Sequence, residues 1–456
     1  MAGREIRDPI HGFIRLEDGE VKIIDNPIFQ RLRRIKQLAF AHLVYPGALH
    51  TRFDHSLGAG YVAASMGRAL GLGDGEERRW LRRAALLHDL GHGPFSHVSE
   101  NLLARFAEPT IIEGHGLEEI HELITMQLIK GLSFLEELDR ERIIGLLLSE
   151  DKAKRPRMVK FLKVHDWPPD PLLKQIISGP LDADKQDYLL RDSYFCGVKY
   201  GVFDIARLHN TLETDSEPHE GNILAISEDG VHAVEQYVMA KYYMNTQVYR
   251  HRVRRITDAM LTRAMTLGIE MDRIPFLKDL YTYDGSDKFL QNYVEWDDER
   301  VTREILQTTG KACELFKRLR ERRLFKQIYS KNLNQLEVNI REALSKLSQT
   351  QKGELEKKVG ETLGFDPLQV MVDVYRIKSA REQVEGSEGR IRVKGKENFQ
   401  KESALFSSID IAMQDQYVEI YAPAEYTSEK DKQEKRTRWN GEVERIFEDT
   451  LKGDGP

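Results

Sequence analysis

The stretch Leu86–Glu100, LLHDLGHGPFSHVSE, limits what this chain can become more than any other. Upstream of it Leu81, Ala84, Ala85, His88 and Asp89 fall at i, i+3, i+4, i+7 and i+8, so a helix carries the His-Asp pair on its own apolar stripe. An ionised Asp on such a face is costly unless a partner compensates its charge, and an adjacent imidazole and carboxylate suit a divalent metal. For a lone dipeptide the bland alternative is a His-Asp hydrogen bond with surface histidines. Gly91, Gly93 and Pro94 stop the helix and put His92, Ser96 and His97 in a turn at its mouth, where they can face a ligand.

At 456 residues the chain can form two or three domains and a complete enzyme. Sixty-eight Lys and Arg oppose 74 Asp and Glu, a net charge of −6, which argues against a protein that coats nucleic acid or anionic membrane non-specifically. Two cysteines, Cys196 and Cys313, make no disulfide framework, and the start MAGREIRDPI has no apolar secretion segment. No stretch approaches the ~20 apolar residues of a membrane span. These features lead us to expect a cytoplasmic protein.

Taken in order, FIRL and VKII read as short strands around the turn-forming Asp18 and Gly19. Asp25-Asn26-Pro27 reads as a helix start continued by Phe29, Leu32, Ile35 and Lys36, and decorated by Asp25, Gln30, Arg33 and Gln37. Simple capping and solvation account for these polar groups equally well. A helix from Phe53 or Asp54 lines up His55, Gly58, Ala59, Val62, Ala63 and Met66, small enough to admit a second helix; a buried, hydrogen-bonded His55 is the alternative. Residues 117–149 read helical, with His121-Glu122 near their start. LDADKQDYLLRDSYFCGV sets Asp184, Lys185, Tyr188 and Asp192 at i, i+1, i+4 and i+8 of one face.

After the strand-like ILAIS a helix is expected from Val231 to Leu267, with Lys241, Asn245 and Tyr249 every four residues and His251 and Arg252 beside them. From Ile305 to Lys358 the sequence is charged, free of Pro and helical. VMVDVYRI, RIRVKG and YVEIYAP alternate as strands, Gly386–Gly389 reads as a flexible loop, and KDKQEKRTRWNGEVERIFEDTL as an amphipathic helix. The expected fold is mainly α: a helical core over residues 1–275 with short N-terminal β pieces, then a mixed α/β region over 276–456.

His55, His88, Asp89 and Asp184 form a two-His, two-carboxylate set suited to Mn, Fe, Zn or Mg with open positions for water and phosphate oxygen. With HDLGHGPFSH and DADKQDYLLRD in this order, residues 4–265 closely resemble the HD superfamily, specifically its dNTP triphosphohydrolase branch. The resemblance implies that these four are the metal ligands. It implies further that Arg52, His92, His97, Lys185 and Tyr188 hold the triphosphate, that His121 sits beside the scissile bond, and that Glu100 is its acidic partner. Gln37, Leu38, Asp192 and Tyr249 match positions that bind the 3′-hydroxyl or crowd a 2′-hydroxyl, and Lys241 stands where an Arg on the phosphates is expected. Asp25, Gln30 and Arg33 match a guanine-nucleotide activator site between subunits of a homo-oligomer, although Ser227 and Asp229 fall where basic residues belong.

The reaction so implied converts a dNTP to a deoxynucleoside and inorganic triphosphate. A phosphodiesterase, phosphatase or single-strand nuclease on the same centre is the second reading, because the four ligands specify phosphoester hydrolysis and not its substrate. A nucleotide sensor without turnover is the third.

Overall fold

The computed structural model describes residues 4–115, 120–217, 221–379, 382, 390–396, 398–408 and 415–451. The fold is mainly α, as expected. Strands β1 (Arg4–Asp8) and β2 (Gly12–Leu16) make an antiparallel hairpin. β3 (Leu212–Glu217) pairs antiparallel with β4 (Gly221–Ile226), which takes β7 (Arg392–Val393) in parallel. In a third sheet β8 (Asp415–Ala422) lies between β5 (Lys326–Asn332) and β6 (Met371–Ile377), antiparallel to both. The Gly386–Gly389 loop lies outside the described residues.

Three helices carry most of the chemistry. Arg52–Ala69 packs against both Glu76–Leu87 and Ala183–Cys196. Its small residues have the anticipated use, since a Cβ on Gly58 would collide with the Asp187 carboxylate of Ala183–Cys196. Thr51 and Asp54 cap its start, with Asp54 Oδ2 accepting the Thr51 amide at 2.8 Å. Asp182 caps Ala183–Cys196 by accepting the Lys185 amide at 2.8 Å, and Gly197 ends it at φ +70°.

Several local readings change. VKII is not a strand but the end of the helix Asp18–Ile24, because Glu20 accepts the Glu17 amide and starts a helix that buries Ile23 and Ile24. Four apolar-rich residues do not separate the two periods. The Pro27 helix is short, Pro27–Gln30 followed by a tighter 3₁₀ turn Arg31–Arg34, and its cap is Asn26, whose side chain accepts the Ile28 amide. The helix before the His-Asp pair ends at Leu87, with His88 as its last helical-geometry residue. Residues 131–136 separate the helices Ile120–Lys130 and Glu137–Leu147. The long helix after Asp229 is broken: Val231–Tyr243 widens into a π turn, Met244–Tyr249, before Arg252–Glu270 begins. The charged run 305–358 contains β5, whose pairing with a strand some ninety residues on is invisible to a local window.

The larger apolar core runs from Ile14 to Phe325, takes in Leu277, Tyr281, Tyr293 and Phe316, and also gathers Met371, Ile391, Val393, Phe399, Phe406 and Tyr421. It therefore continues past the division expected at residue 276. A second core gathers Ile328, Leu344, Val359, Val418, Ile420, Trp439, Val443 and Phe447 between the third sheet and the helix Glu429–Leu451.

Candidate active site

His88 closes its helix by donating Nδ1–H to the Ala85 carbonyl at 2.7 Å, and His55 Nδ1 lies 2.8 Å from Asp187 Oδ2. A carbonyl or carboxylate oxygen only accepts, so both rings carry their proton on Nδ1 and turn a lone pair on Nε2 the other way. Neither Nε2 has a hydrogen-bond partner, though both are buried. They face Asp184 Oδ1, 2.9 Å from His55 Nε2 and 3.6 Å from His88 Nε2. Asp89 completes the set, its Oδ1 3.2 Å from His88 Nε2 and its Oδ2 3.6 Å from His55 Nε2. Two sealed imidazole lone pairs converging on two carboxylates fit a divalent cation.

Electrostatics bind the group together. Burial opposes a charge on His55, yet the carboxylates of Asp184, Asp187 and Asp89 outweigh it and push the imidazole up to about 10, so with no ion bound Nε2 holds a second proton, and a cation would displace that proton to reach the lone pair. Burial likewise opposes ionisation of Asp89, but Arg52, His88 and His92 hold it well below the usual carboxylate range. Arg52 Nη1 donates to Asp89 Oδ2 at 2.6 Å and its Nε to Ser96 Oγ at 3.0 Å.

Beside this lies a second cluster, His92, Glu100 and His121, with one ligand atom of each within 4.8 Å of the others. The His92 and His121 rings stack with centroids 4.6 Å apart. Glu100 Oε1 is 3.2 Å from His92 Nδ1 and 3.1 Å from His97 Nδ1. Burial works against its charge, and His97 and His92 keep it ionised. His92 is lowered to about 3 by burial and by the charge of Arg52. The turn that sets these rings is strained: Phe95 and Ser96 stand at φ +65° and +53°. Asp298 clamps it by accepting the Phe95 amide at 2.7 Å and the Lys36 amide at 3.0 Å.

Both clusters open onto one cleft of about 1500 Å³. Gln37, Leu38, Arg52, His88, Asp89, His92, His97, Glu100, His121, Asp184, Lys185, Tyr188, Asp192 and Tyr249 all line it. Lys185 Nζ donates to Asp182 Oδ2 at 2.5 Å. Asp192 accepts His50 Nε2 at 2.7 Å and the Tyr249 hydroxyl at 2.6 Å. Lys241, His251 and Arg252 are not among the lining residues. Asn245 and Tyr249, four residues apart within the π turn, do line it together. Asp25, Gln30 and Arg33 do not line the cleft; Asp25 and Arg33 are exposed and Gln30 is half-buried. Asp25 pairs with Arg4 at 2.9 Å, while Gln30 accepts Arg33 Nε at 2.9 Å and donates to the Ile24 carbonyl at 2.7 Å.

Several contributors escaped the sequence reading: His11, His50, Asp187, Arg191 and Asp298. Asp187 accepts from His11 Nε2 at 2.6 Å and from Arg191 Nε at 2.9 Å, and Arg191 reaches Asp8 at 2.8 Å. The i, i+4 spacing of Asp187 and Arg191, opposite Gly58, was the available signal.

The fold and the paired clusters define an HD-domain phosphohydrolase. An HD domain model matches residues 52–178, and a model of the HD associated region matches residues 203–437. An uncharacterised protein of Methanocaldococcus jannaschii is 32% identical over 377 residues, covering 83% of this chain and 70% of that protein. The deoxynucleoside triphosphate triphosphohydrolase SAMHD1 of Homo sapiens is 31% identical over 364 residues, 71% of this chain and 54% of its own length. An uncharacterised protein of Bacillus subtilis is 36% identical over 264 residues, again 54% of its length. The chain thus spans about half of these last two relatives. A phosphohydrolase from Bacteroides thetaiotaomicron superposes with a TM-score of 0.66 at 25% identity, over 92% of this chain and 99% of that one. A hypothetical protein from Aquifex aeolicus gives 0.65 at 27% identity, over 95% and 99%. The chain belongs to the HD superfamily. Among the described residues no helix is long and apolar enough to cross a membrane.

Proposed function

We propose that the chain is a metal-dependent dNTP triphosphohydrolase, releasing a deoxynucleoside and inorganic triphosphate. The observation that carries this is the convergence of the free His55 and His88 Nε2 atoms on Asp184, beside the His92–Glu100–His121 cluster and in the cleft that also holds Asp192 and Tyr249. The name of the Homo sapiens relative supports it. His55, His88, Asp89 and Asp184 hold a divalent ion, Mn, Fe, Mg or Zn. Such an ion offsets charge on phosphoryl oxygen and makes water nucleophilic near neutral pH.

Arg52, His97, Lys185 and Tyr188 bind the triphosphate oxygens, and neutral His92 contributes a ring N–H. His121 holds the proton that passes to the departing 5′-oxygen, and the ionised Glu100 steadies its ring. At the sugar, Asp192 retains lone pairs for the 3′-hydroxyl beyond those given to His50 and Tyr249, and Gln37 offers a second polar contact. Leu38 and Tyr249, which line the same cleft, are the residues that would crowd a 2′-hydroxyl. Lys241 has no part in this scheme.

Purified protein, after anaerobic metal analysis, is given each dNTP and rNTP and its products identified. Deoxynucleoside and triphosphate are expected, with dATP cleaved faster than ATP. Release of pyrophosphate or phosphate, or cleavage of labelled single-stranded DNA instead, favours the phosphodiesterase or nuclease reading. For regulation we propose a homo-oligomer activated by a guanine nucleotide at Asp25, Gln30 and Arg33. Rates on dATP with and without GTP, and sedimentation, compared between wild type and Asp25→Ala, test it. No response in either removes the activator site.

A further inference from the structure

His50 stands behind the sugar end of the cleft and is not among the residues that line it. Only 3% exposed, it nevertheless holds both polar groups assigned above to the sugar. Its backbone carbonyl accepts the Gln37 amide at 3.1 Å, and its ring Nε2 stands 2.7 Å from Asp192 Oδ1. A carboxylate oxygen only accepts, so Nε2 carries the proton. Nδ1 is sealed from solvent without a partner, so no second hydrogen bond draws the ring away. Packing fixes its plane. The ring stacks on Phe195 with centroids 4.7 Å and planes 16° apart, and Phe195 lies three residues beyond Asp192 on the helix Ala183–Cys196. The loop carrying His50 comes this close because residue 47 is glycine, where a Cβ would meet the Phe195 carbonyl oxygen at 2.6 Å.

The other oxygen of Asp192 accepts the Tyr249 hydroxyl at 2.6 Å, so this carboxylate, 2% exposed, is held from both ends. An ionised carboxylate has about four lone-pair sites, and one on each oxygen then stays open. Held this way it offers the sugar acceptors and no donor. Resting on the reading of Asp192 as the sugar contact, we propose that His50 is a positioning residue for substrate selection: through Asp192 it makes hydrolysis depend on a hydrogen-bond donor at C3′ of the nucleotide. Without the His50 N–H a buried carboxylate oxygen is left bare, which is costly. The carboxylate then turns to another donor or takes up a proton, and a protonated carboxyl donates as well as accepts. Either change ends the demand for a donor on the sugar.

The test measures kcat/KM for dATP and for 2′,3′-dideoxy-ATP at one fixed Mn concentration, in wild type, His50→Leu and His50→Gln. Wild type is expected to favour dATP by about tenfold or more, the size of one hydrogen bond to a charged group. His50→Leu should lose about tenfold on dATP and little on the dideoxy substrate, so that the ratio collapses. Gln carries an amide N–H as many bonds from Cβ as Nε2 is in His, and His50→Gln should recover most of the ratio. A residue that only packs would move both substrates together. If His50→Leu does not fold, the ring ¹⁵N signals of His50 in metal-free wild type replace it: Nε2–H is expected to shift with dATP and to stay with the dideoxy compound at equal occupancy. Equal losses on both substrates, an unchanged ratio in His50→Leu, or identical ¹⁵N shifts overturn the role of His50 and leave the triphosphohydrolase reading standing. Hydrolysis of neither substrate by metal-loaded wild type removes both.

Discussion

Around His55 the helical bundle buries His55, Asp187 and Arg191, all at 0% exposure, whereas around Phe447 the C-terminal layer buries Val418, Ile420, Val443 and Phe447 to the same degree. In the bundle these buried ionisable groups hold one another, in a chain from Asp8 through Arg191 and Asp187 to His55. In the layer the sheet face and the helix Glu429–Leu451 meet through hydrocarbon and rings, with Tyr329 edge-on to Phe447 at 5.6 Å. Buried ion pairs seldom stabilise a fold more than apolar residues of the same shape, while apolar burial stabilises it directly. The layer is thus built for stability. The bundle carries charges whose return is a fixed imidazole tautomer and a pair of open lone pairs.

The strongest way to separate the two regions is to remove a ligand. His88→Ala or Asp89→Ala should lower dNTP turnover by at least about 10³-fold and deplete bound metal, because the ion offsets several kcal/mol of transition-state charge. For His88→Ala the thermal midpoint of the metal-free protein should hardly move, whereas Asp89→Ala also strands buried Arg52 and should lower it. Full turnover in either variant breaks the metal mechanism. In the other region Phe447→Ala should lower the unfolding free energy by about 3–5 kcal/mol through its cavity. Metal content per folded molecule should stay at the wild-type value, and a parallel loss of metal would show that the two cores are one unit.

A smaller effect probes the links between bundle and metal. Asp187→Asn should weaken metal affinity by about 10–100-fold, the usual cost of disturbing a ligand's hydrogen-bond partner, read by chelator competition. Unchanged affinity would make Asp187 a purely structural residue. The smallest effect is a pH slope. Burial lowers Lys174, whose ammonium donates to the Leu146 carbonyl at 2.8 Å, to about 8. The unfolded chain keeps that proton up to a pKa of about 10.4. Between these values the unfolded state binds more protons, so stability rises with pH by up to about 1 kcal/mol per unit. Lys174→Met should flatten the slope in urea titrations at pH 8–10, and an unaltered slope would reject the assignment.

What the sequence could show was set by reach. The apolar stripe under His88 and Asp89, the small-residue face of His55 and the polar face from Asp184 to Asp192 are written within single helices, where a period of 3.6 residues turns spacing into direction. The Gly-Pro turn after Asp89 was readable for the same reason. Its strain and its clamp were not, because Asp298 arrives from some two hundred residues away. His11 and His50 carry no local signal, and only tertiary packing sets them on Asp187 and Asp192. Of the four-residue rhythm Lys241, Asn245 and Tyr249, the last two share the cleft wall within the π turn, and Lys241, one turn back, does not line it. β5 was hidden in a charged, helix-prone run because its partner β8 lies far along the chain. Local periodicity therefore determined which side chains could share a helix face. Which nitrogen stays open belongs to the hydrogen-bond partner on the other side of the ring: for His88 that is the Ala85 carbonyl of its own helix, but for His55 only the packing of a distant segment, which brings Asp187, decided it.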